Sequence, residues 1–266
     1  MDTEAPQQHG QETMEIAPGV FLVDRVRGSN VYLLVDSRLA LIDTGMPDNS
    51  STILSFIRSL GRDPGELAHI VVTHGHIDHA GSAAALRRLT EAKVVAHRDE
   101  VALTHDGACM LEASSSGRYG PAMRALSRIG RFEPCPVEAA VNESESLPYL
   151  GGLRIIHAPG HTRGSLCLLL EKRGILFVGD TIINNKDRLS RPLPFGADRD
   201  QSEQSLAKLA QLDFSTCCFG HGPPLTSAAR ITVAGFVNNS PHTPLWRRIV
   251  KRRHTLVGFG LRLWRR

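Results

Sequence analysis

The run Val71–Gly81, VVTHGHIDHAG, sets three histidines and an aspartate within six positions, directly after an apolar stretch. In an extended segment side chains i and i+2 face the same side. His74 and His76 can therefore reach one ion at about 2.0–2.1 Å. Asp78 and His79 fall where a helix is about to begin, leave the chain from a different part of the turn, and suit a second ion nearby. Gly75 and Gly81 lower the steric cost of so tight a path. A lone HxH would be weak evidence, but few structural roles need this density of ligands after a strand.

The same punctuation recurs along the chain. Asp43 follows LALI, His161 follows RIIHAPG, Asp180 follows ILFVG and His221 follows CCFG. Loops at strand ends are where α/β scaffolds present chemistry. Strands are expected at Val20–Val23, Val31–Val35, Leu39–Ile42, His69–Val72, Lys93–Ala96, Leu153–Ile156, Ser165–Leu170, Ile175–Val178 and Phe214–Phe219. Helical spacing marks Asn49–Leu60, Gly81–Thr90, Asp200–Leu212 and Ala228–Val237. Two stretches of similar grammar, about 16–145 and 150–240, alternate strands and helices, which predicts a layered sheet architecture. Residues 1–15 read as a loose leader, 16–240 as one domain, and 241–266 as a basic tail.

Composition narrows the classes. The 266 residues suffice for a sizeable core, and no apolar run is long enough to span a membrane. The N-terminus lacks the apolar stretch of a secretory signal, and five scattered cysteines suit reduced thiols. A cytoplasmic protein, with membrane contact at most peripheral, is the expectation. The net charge of +4 hides an asymmetry. Nine of the 31 Lys and Arg residues lie after Phe214, where there is no acid, leaving 22 against 27 acids before it. The body is thus mildly acidic, and the basicity belongs to the C-terminal end.

His74-Gly-His76-Ile-Asp78-His79 resembles the HxHxDH signature of the metallo-β-lactamase superfamily. Asp43 in LIDTG, His161 in APGHTRGS, Asp180 in FVGDT and His221 in FGHG follow in that family's order, so the resemblance covers roughly residues 16–225. It implies a four-layer αββα sandwich with the site at one edge between the sheets. It implies one ion held by His74, His76 and His161, a second held by Asp78, His79 and His221, and Asp180 bridging them. The expected cofactors are two divalent ions, zinc first, with iron or manganese open because the ligands are nitrogen and oxygen. Asp43 would accept a hydrogen bond from a ligand imidazole and fix its tautomer. Asp78 is the candidate catalytic carboxylate as well as a ligand.

Such a site implies a metal-dependent hydrolase in which a hydroxide shared by the two ions cleaves a small ester, thioester or lactone. The bridging Asp180 resembles the glyoxalase-II, lactonase and phosphodiesterase branches, whereas true β-lactamases lack it. Asp180-Thr-Ile-Ile-Asn omits the tyrosine of the quorum-sensing lactonases, and His76 stands where flavodiiron proteins carry glutamate. About 45 residues after His221 leave little room for the glutathione-binding domain of typical glyoxalase II. A mononuclear-iron persulfide dioxygenase, an RNA-processing nuclease of the same fold, and a regulatory protein on a retained scaffold are the alternatives. The substrate is expected to be a small molecule, and an anionic one could meet Arg188 and Arg191. Met110, Tyr119 and Met123 are candidates for the opposite wall.

The tail PLWRRIVKRRHTLVGFGLRLWRR carries an approximate helical stripe through Trp246, Ile249, Val250, Leu256, Val257, Leu261 and Trp264. Three partners suit it: the domain itself or a second subunit, an anionic membrane surface, or nucleic-acid phosphate, the least favoured. Membrane contact predicts that truncation after Pro244 abolishes flotation with anionic liposomes. Equal flotation with and without the tail removes that partner.

Overall fold

Alternation with a period of two builds both sheets. The computed structural model describes residues 14–100, 133–186, 188–192 and 198–239. Strands β1 (Met14–Ala17), β2 (Val20–Leu22), β3 (Tyr32–Val35), β4 (Leu39–Ile42), β5 (Leu67–Val71), β6 (Lys93–His97) and β7 (Ala139–Val141) form a seven-stranded sheet in sequential order. Pairing is antiparallel as far as β4 and parallel from β4 to β7. Strands β8 (Ser146–Leu147), β9 (Leu153–His157), β10 (Leu166–Leu170), β11 (Ile175–Phe177) and β14 (Thr216–Cys218) form the second sheet, ordered β14-β11-β10-β9-β8. Between β11 and β14 lies a small ribbon of β12 (Ile183–Asn184) and β13 (Leu189–Ser190). Among the described residues the helices are α1 (Ser50–Ser59), α2 (Ile77–Ala80), α3 (Ala83–Thr90), α4 (Arg199–Leu209) and α5 (Ala229–Asn239).

The side chains sort into three cores. Leu33, Leu39 and Leu41 point outward to Ile53 and Ile57 of α1 and Leu86 of α3. Their neighbours Leu34, Ala40 and Ile42 point the other way, onto Leu166, Leu168 and Phe177 of the second sheet. On the far side, Cys167, Leu169 and Leu176 meet Leu206 and Leu209 of α4 and Val233 of α5. Helix, sheet, sheet and helix therefore stack in four layers, the αββα sandwich expected. Asp198 caps α4 by accepting from the Gln201 amide at 3.0 Å. Among the described residues no helix is long and apolar enough to cross a membrane.

Some boundaries differ from expectation. The first strand starts at Met14, inside the supposed leader, and pairs with β2. The helix expected at Gly81–Thr90 is α3, which begins at Ala83, and a separate short turn, α2, precedes Gly81, so Asp78 and His79 already lie within a helical turn. There Gly81 packs against Pro47, where a Cβ would approach the Pro47 nitrogen to 2.5 Å. Strands β7, β8, β12 and β13 went unseen, because two or three residues carry too short a period to register. Residues 1–13, the 241–266 tail, Cys109, Met110, Tyr119 and Met123 lie outside the described residues. The other four cysteines are buried and free.

Leu168→Ala removes a fully buried side chain from between the sheets. It should cost about 2–5 kcal/mol in urea unfolding, whereas Leu89→Ala, 61% exposed on α3, should stay within about 0.5 kcal/mol.

Candidate metal centre

The loops after β4, β5, β9, β11 and β14 gather at one rim of the sandwich, where the two sheets meet. They carry Asp43, the His74–His79 cluster, His161, Asp180 and His221 respectively. Three imidazole nitrogens converge first. His76 Nδ1 lies 3.0 Å from His74 Nε2 and 3.1 Å from His161 Nε2. Ligands at about 2.0–2.1 Å on a tetrahedral ion stand about 3.3 Å apart, close to this spacing.

The second group forms beside it. His221 Nε2 is 3.2 Å from Asp78 Oδ2 and 3.4 Å from Asp180 Oδ2, and His79 Nε2 is 3.3 Å from Asp180 Oδ1. Asp180 Oδ2 also lies 3.7 Å from His161 Nε2, so this carboxylate faces both groups. The ligand atoms of His74, His76 and His161 lie within 4.8 Å of one another, as do those of Asp78, His79 and His221. All seven residues singled out from the sequence are thus brought together.

Their chemistry fits cations. Asp78 Oδ1, His79 Nε2 and Asp180 Oδ1 are buried with no partner in hydrogen-bond geometry, an arrangement costly for polar atoms. No side chain fits at Gly220, where a Cβ would stand 2.4 Å from Asp180 Oδ1 and 2.8 Å from His79 Cε1. The clusters could therefore hold metal ions.

Charge divides between the two groups. Burial, then the neighbouring imidazoles, holds the His74 pKa well below the usual histidine value. Burial and His161 push His76 down to about 3. His161 falls to about 4 through burial, against the pull of Asp180. These three are neutral, the form that binds metal. In the second group burial opposes charge on His79, but Asp180 and Asp43 outweigh it and raise its pKa well above the usual value. Hydrogen bonds to Asp180 and Asp78 raise His221 to about 9. Burial works upward on Asp180, yet His79 and His221 hold its carboxyl well below the ordinary range. Asp78 is lowered in the same way, chiefly by His221, against burial.

Supporting residues orient the ligands. Asp43, in left-handed backbone at φ 60°, accepts from His79 Nδ1 at 2.8 Å and from the Thr73 amide at 2.8 Å. The Thr73 hydroxyl donates to Asp43 Oδ2 at 2.8 Å and lies 3.1 Å from His74 Nδ1. With its proton committed to Asp43, it accepts from His74 Nδ1–H, which leaves His74 Nε2 free to face the other imidazoles. Asn30 and Tyr32 clamp the His221 loop. The Asn30 amide donates to the Gly220 carbonyl at 2.7 Å, and Tyr32 Oη to the Phe219 carbonyl at 2.7 Å. Sequence reasoning missed Thr73, Asn30 and Tyr32. For Thr73 the signal was adjacency to His74, whereas Asn30 and Tyr32 act across more than 180 residues.

Two other groupings differ from the rim. His97, Asp99 and His157 offer ligand atoms close together, but the two imidazoles stack at 4.0 Å with planes 6° apart. Their in-plane lone pairs run parallel and do not converge on one ion. Arg191 is engaged in an ion pair with Glu203, and Arg188 is exposed between β12 and β13.

Comparison with known proteins agrees with this geometry. The chain is 26% identical over 220 residues to the probable metallo-hydrolase YflN of Bacillus subtilis, covering 76% of this chain and 83% of that protein. It is 24% identical over 216 residues to the thioesterase pkgB of Emericella nidulans, covering 80% of this chain and 51% of that one. A solved B3 metallo-β-lactamase with an active-site glutamic acid superposes with a TM-score of 0.65 at 25% identity, covering 88% and 89% of the two chains. Residues 24–221 match the family model of the metallo-β-lactamase superfamily, and the chain belongs to that superfamily.

Proposed function

We propose that this protein is a dinuclear zinc hydrolase that cleaves a small acyl thioester or a related ester or lactone. The observation that carries the reading is Asp180, a buried carboxylate facing both ligand groups at once. His74, His76 and His161 would hold one ion, Asp78, His79 and His221 the other, and Asp180 both. When bound, such a pair supplies Lewis acidity, which makes water nucleophilic near neutral pH and polarises a carbonyl.

The chain's own residues do the rest. Asp43 keeps the Nδ1 proton of His79 and so presents Nε2 toward Asp180. Asp78 turns Oδ2 toward His221 and leaves Oδ1 buried and unpartnered. Oδ1 is the atom that takes up the proton of the attacking water. No side-chain nucleophile is required, so Ser165 is free to serve the loop in which it sits. The thioesterase relative supports a thioester substrate. Exposed Arg188 offers a cation for an anionic leaving group.

Ion content and hydrolysis of a panel of thioester, lactone and phosphodiester substrates test this reading. His76→Ala and Asp180→Ala should each lower kcat/KM on the preferred substrate by at least about 100-fold, the scale of losing one transition-state stabiliser. Unchanged activity in both variants sinks the proposal.

The pKa shifts also distinguish the two groups. The neutral triad has no proton to lose at pH 7, whereas His221 holds its proton up to about pH 9. Calorimetry in buffers of different ionisation enthalpy should find protons released with one ion and none with the other. For the metal-free protein the signs oppose. The raised His221 contributes stability present below its unfolded value of about 6.5 and lost as pH rises through about 9. The lowered His161 and His76 contribute stability present above about 6.5 and lost as pH falls toward about 4 and about 3. Thermal melts of the metal-free protein across pH 4–10 should therefore fall at both ends, a range of about six units chosen to span these values.

A further inference from the structure

One more polar residue reaches the rim, from the end of a strand that carries none of the seven. Glu100 ends a short turn, Arg98–Glu100, directly after β6, and it is fully buried. Its carboxylate spans two loops. Oε2 accepts from the Gly75 amide at 2.7 Å. Oε1 accepts from the Gly164 amide at 2.8 Å and from the Thr162 hydroxyl at 2.6 Å. Gly75 separates His74 from His76, and Thr162 adjoins His161. One side chain thus ties both loops that carry the three-histidine group, one loop from each sheet.

The surroundings are built for that carboxylate. Thr162 has one hydroxyl proton and gives it to Glu100. Ser165 Oγ, 2.7 Å from Thr162 Oγ1, then donates to Thr162 and accepts the Thr162 amide at 3.0 Å. Every donor in the chain has a direction and none conflicts. At Gly164 a Cβ would stand 2.6 Å from Glu100 Cγ and 2.9 Å from Oε1, so only glycine lets the second loop approach this closely. A carboxylate accepts at both ends. An amide in its place turns an N–H group against the Gly75 amide or against the Thr162–Gly164 pair.

We propose that Glu100 is a positioning residue for one ion of the pair, setting the spacing of His74 and His76 against His161. The inference rests on the two-ion reading above and sharpens it, because it assigns the brace to a single ion site. Orienting groups outside the ligand set are worth about 10–100-fold in metal affinity. Loss of the brace falls on the three-histidine site and spares Asp78, His79 and His221, whose supports are Asp43, Asn30 and Tyr32.

The test is chelator competition with zinc, and absorption spectra with cobalt(II), on wild type, Glu100→Gln and Thr162→Val. His76→Ala and His221→Ala mark which ion is which. Glu100→Gln should weaken the ion that His76→Ala removes by about 10–100-fold, alter its cobalt spectrum, and leave the ion marked by His221→Ala unchanged. Thr162→Val, which deletes one donor and keeps the shape, should shift the same ion by less, and it decides the matter if Glu100→Gln does not fold. Equal weakening of both ions, or wild-type affinity for both, overturns the brace while leaving the hydrolase reading in place. A wild-type protein that binds no ion overturns both.

Discussion

Asp43 is 2% exposed, sits in left-handed backbone, and accepts hydrogen bonds from His79 Nδ1, the Thr73 amide and the Thr73 hydroxyl. Left-handed backbone is unfavourable for a residue with a Cβ, and burying a carboxylate is unfavourable without donors. Three donors in fixed places offset both. In return the end of β4 is fastened to the end of β5, and the rings of His79 and His74 are each held by one nitrogen. The other nitrogen of each ring then has a single direction to face. These two histidines of the rim are already oriented before anything binds.

From the sequence, the gathering of the candidate ligand residues was legible because each stands within a few residues of a strong apolar strand, and strand ends share a rim. The layered architecture was legible for a related reason. Alternating residues such as Leu33 and Leu34, or Cys167 and Leu168, must be buried on both faces, which a sheet achieves only when covered on each side. The supports were not legible. Asn30 and Tyr32 meet residues 219–222 across the sandwich, and pairing at such separation leaves no local pattern. Glu100 obeys the strand-end rule after β6, but it follows the strand by three residues in an otherwise ordinary charged turn, RDE.

The two halves of the chain contribute unequally. The first supplies four candidate ligands from one short run, and the second supplies His161, Asp180 and His221 from three separate loops. A cluster within one turn is rigid through its own covalent path, whereas three loops must be held relative to it by contacts across the seam. Leu166 N donates to the Thr73 carbonyl at 2.8 Å across the seam, and Gly220 N joins the His221 loop to the Asp180 loop through the Gly179 carbonyl at 2.8 Å. Asn30 and Tyr32 grip the His221 loop, and Glu100 grips the His161 loop. The accuracy of the site therefore depends on how well the sheets dock. The inter-sheet core of Leu34, Ile42, Leu168 and Phe177 is part of the site's construction as much as of its stability.

That construction makes the two donor groups chemically different. The three-histidine group presents uncharged nitrogen donors, and the carboxylate that faces it at short range is Asp180, which it shares. The neighbouring group adds Asp78 and, through His79, the carboxylate of Asp43. A cation there meets more negative charge but must first displace protons that the same carboxylates hold on His79 and His221. A cation at the triad meets less charge and no competing proton. Attraction and proton competition thus pull in opposite directions at neighbouring positions, and pH shifts the balance between them. The position poorer in negative charge gains less from electrostatics, so its hold on an ion rests more on geometry. It is also the one whose two loops are tied by a buried carboxylate.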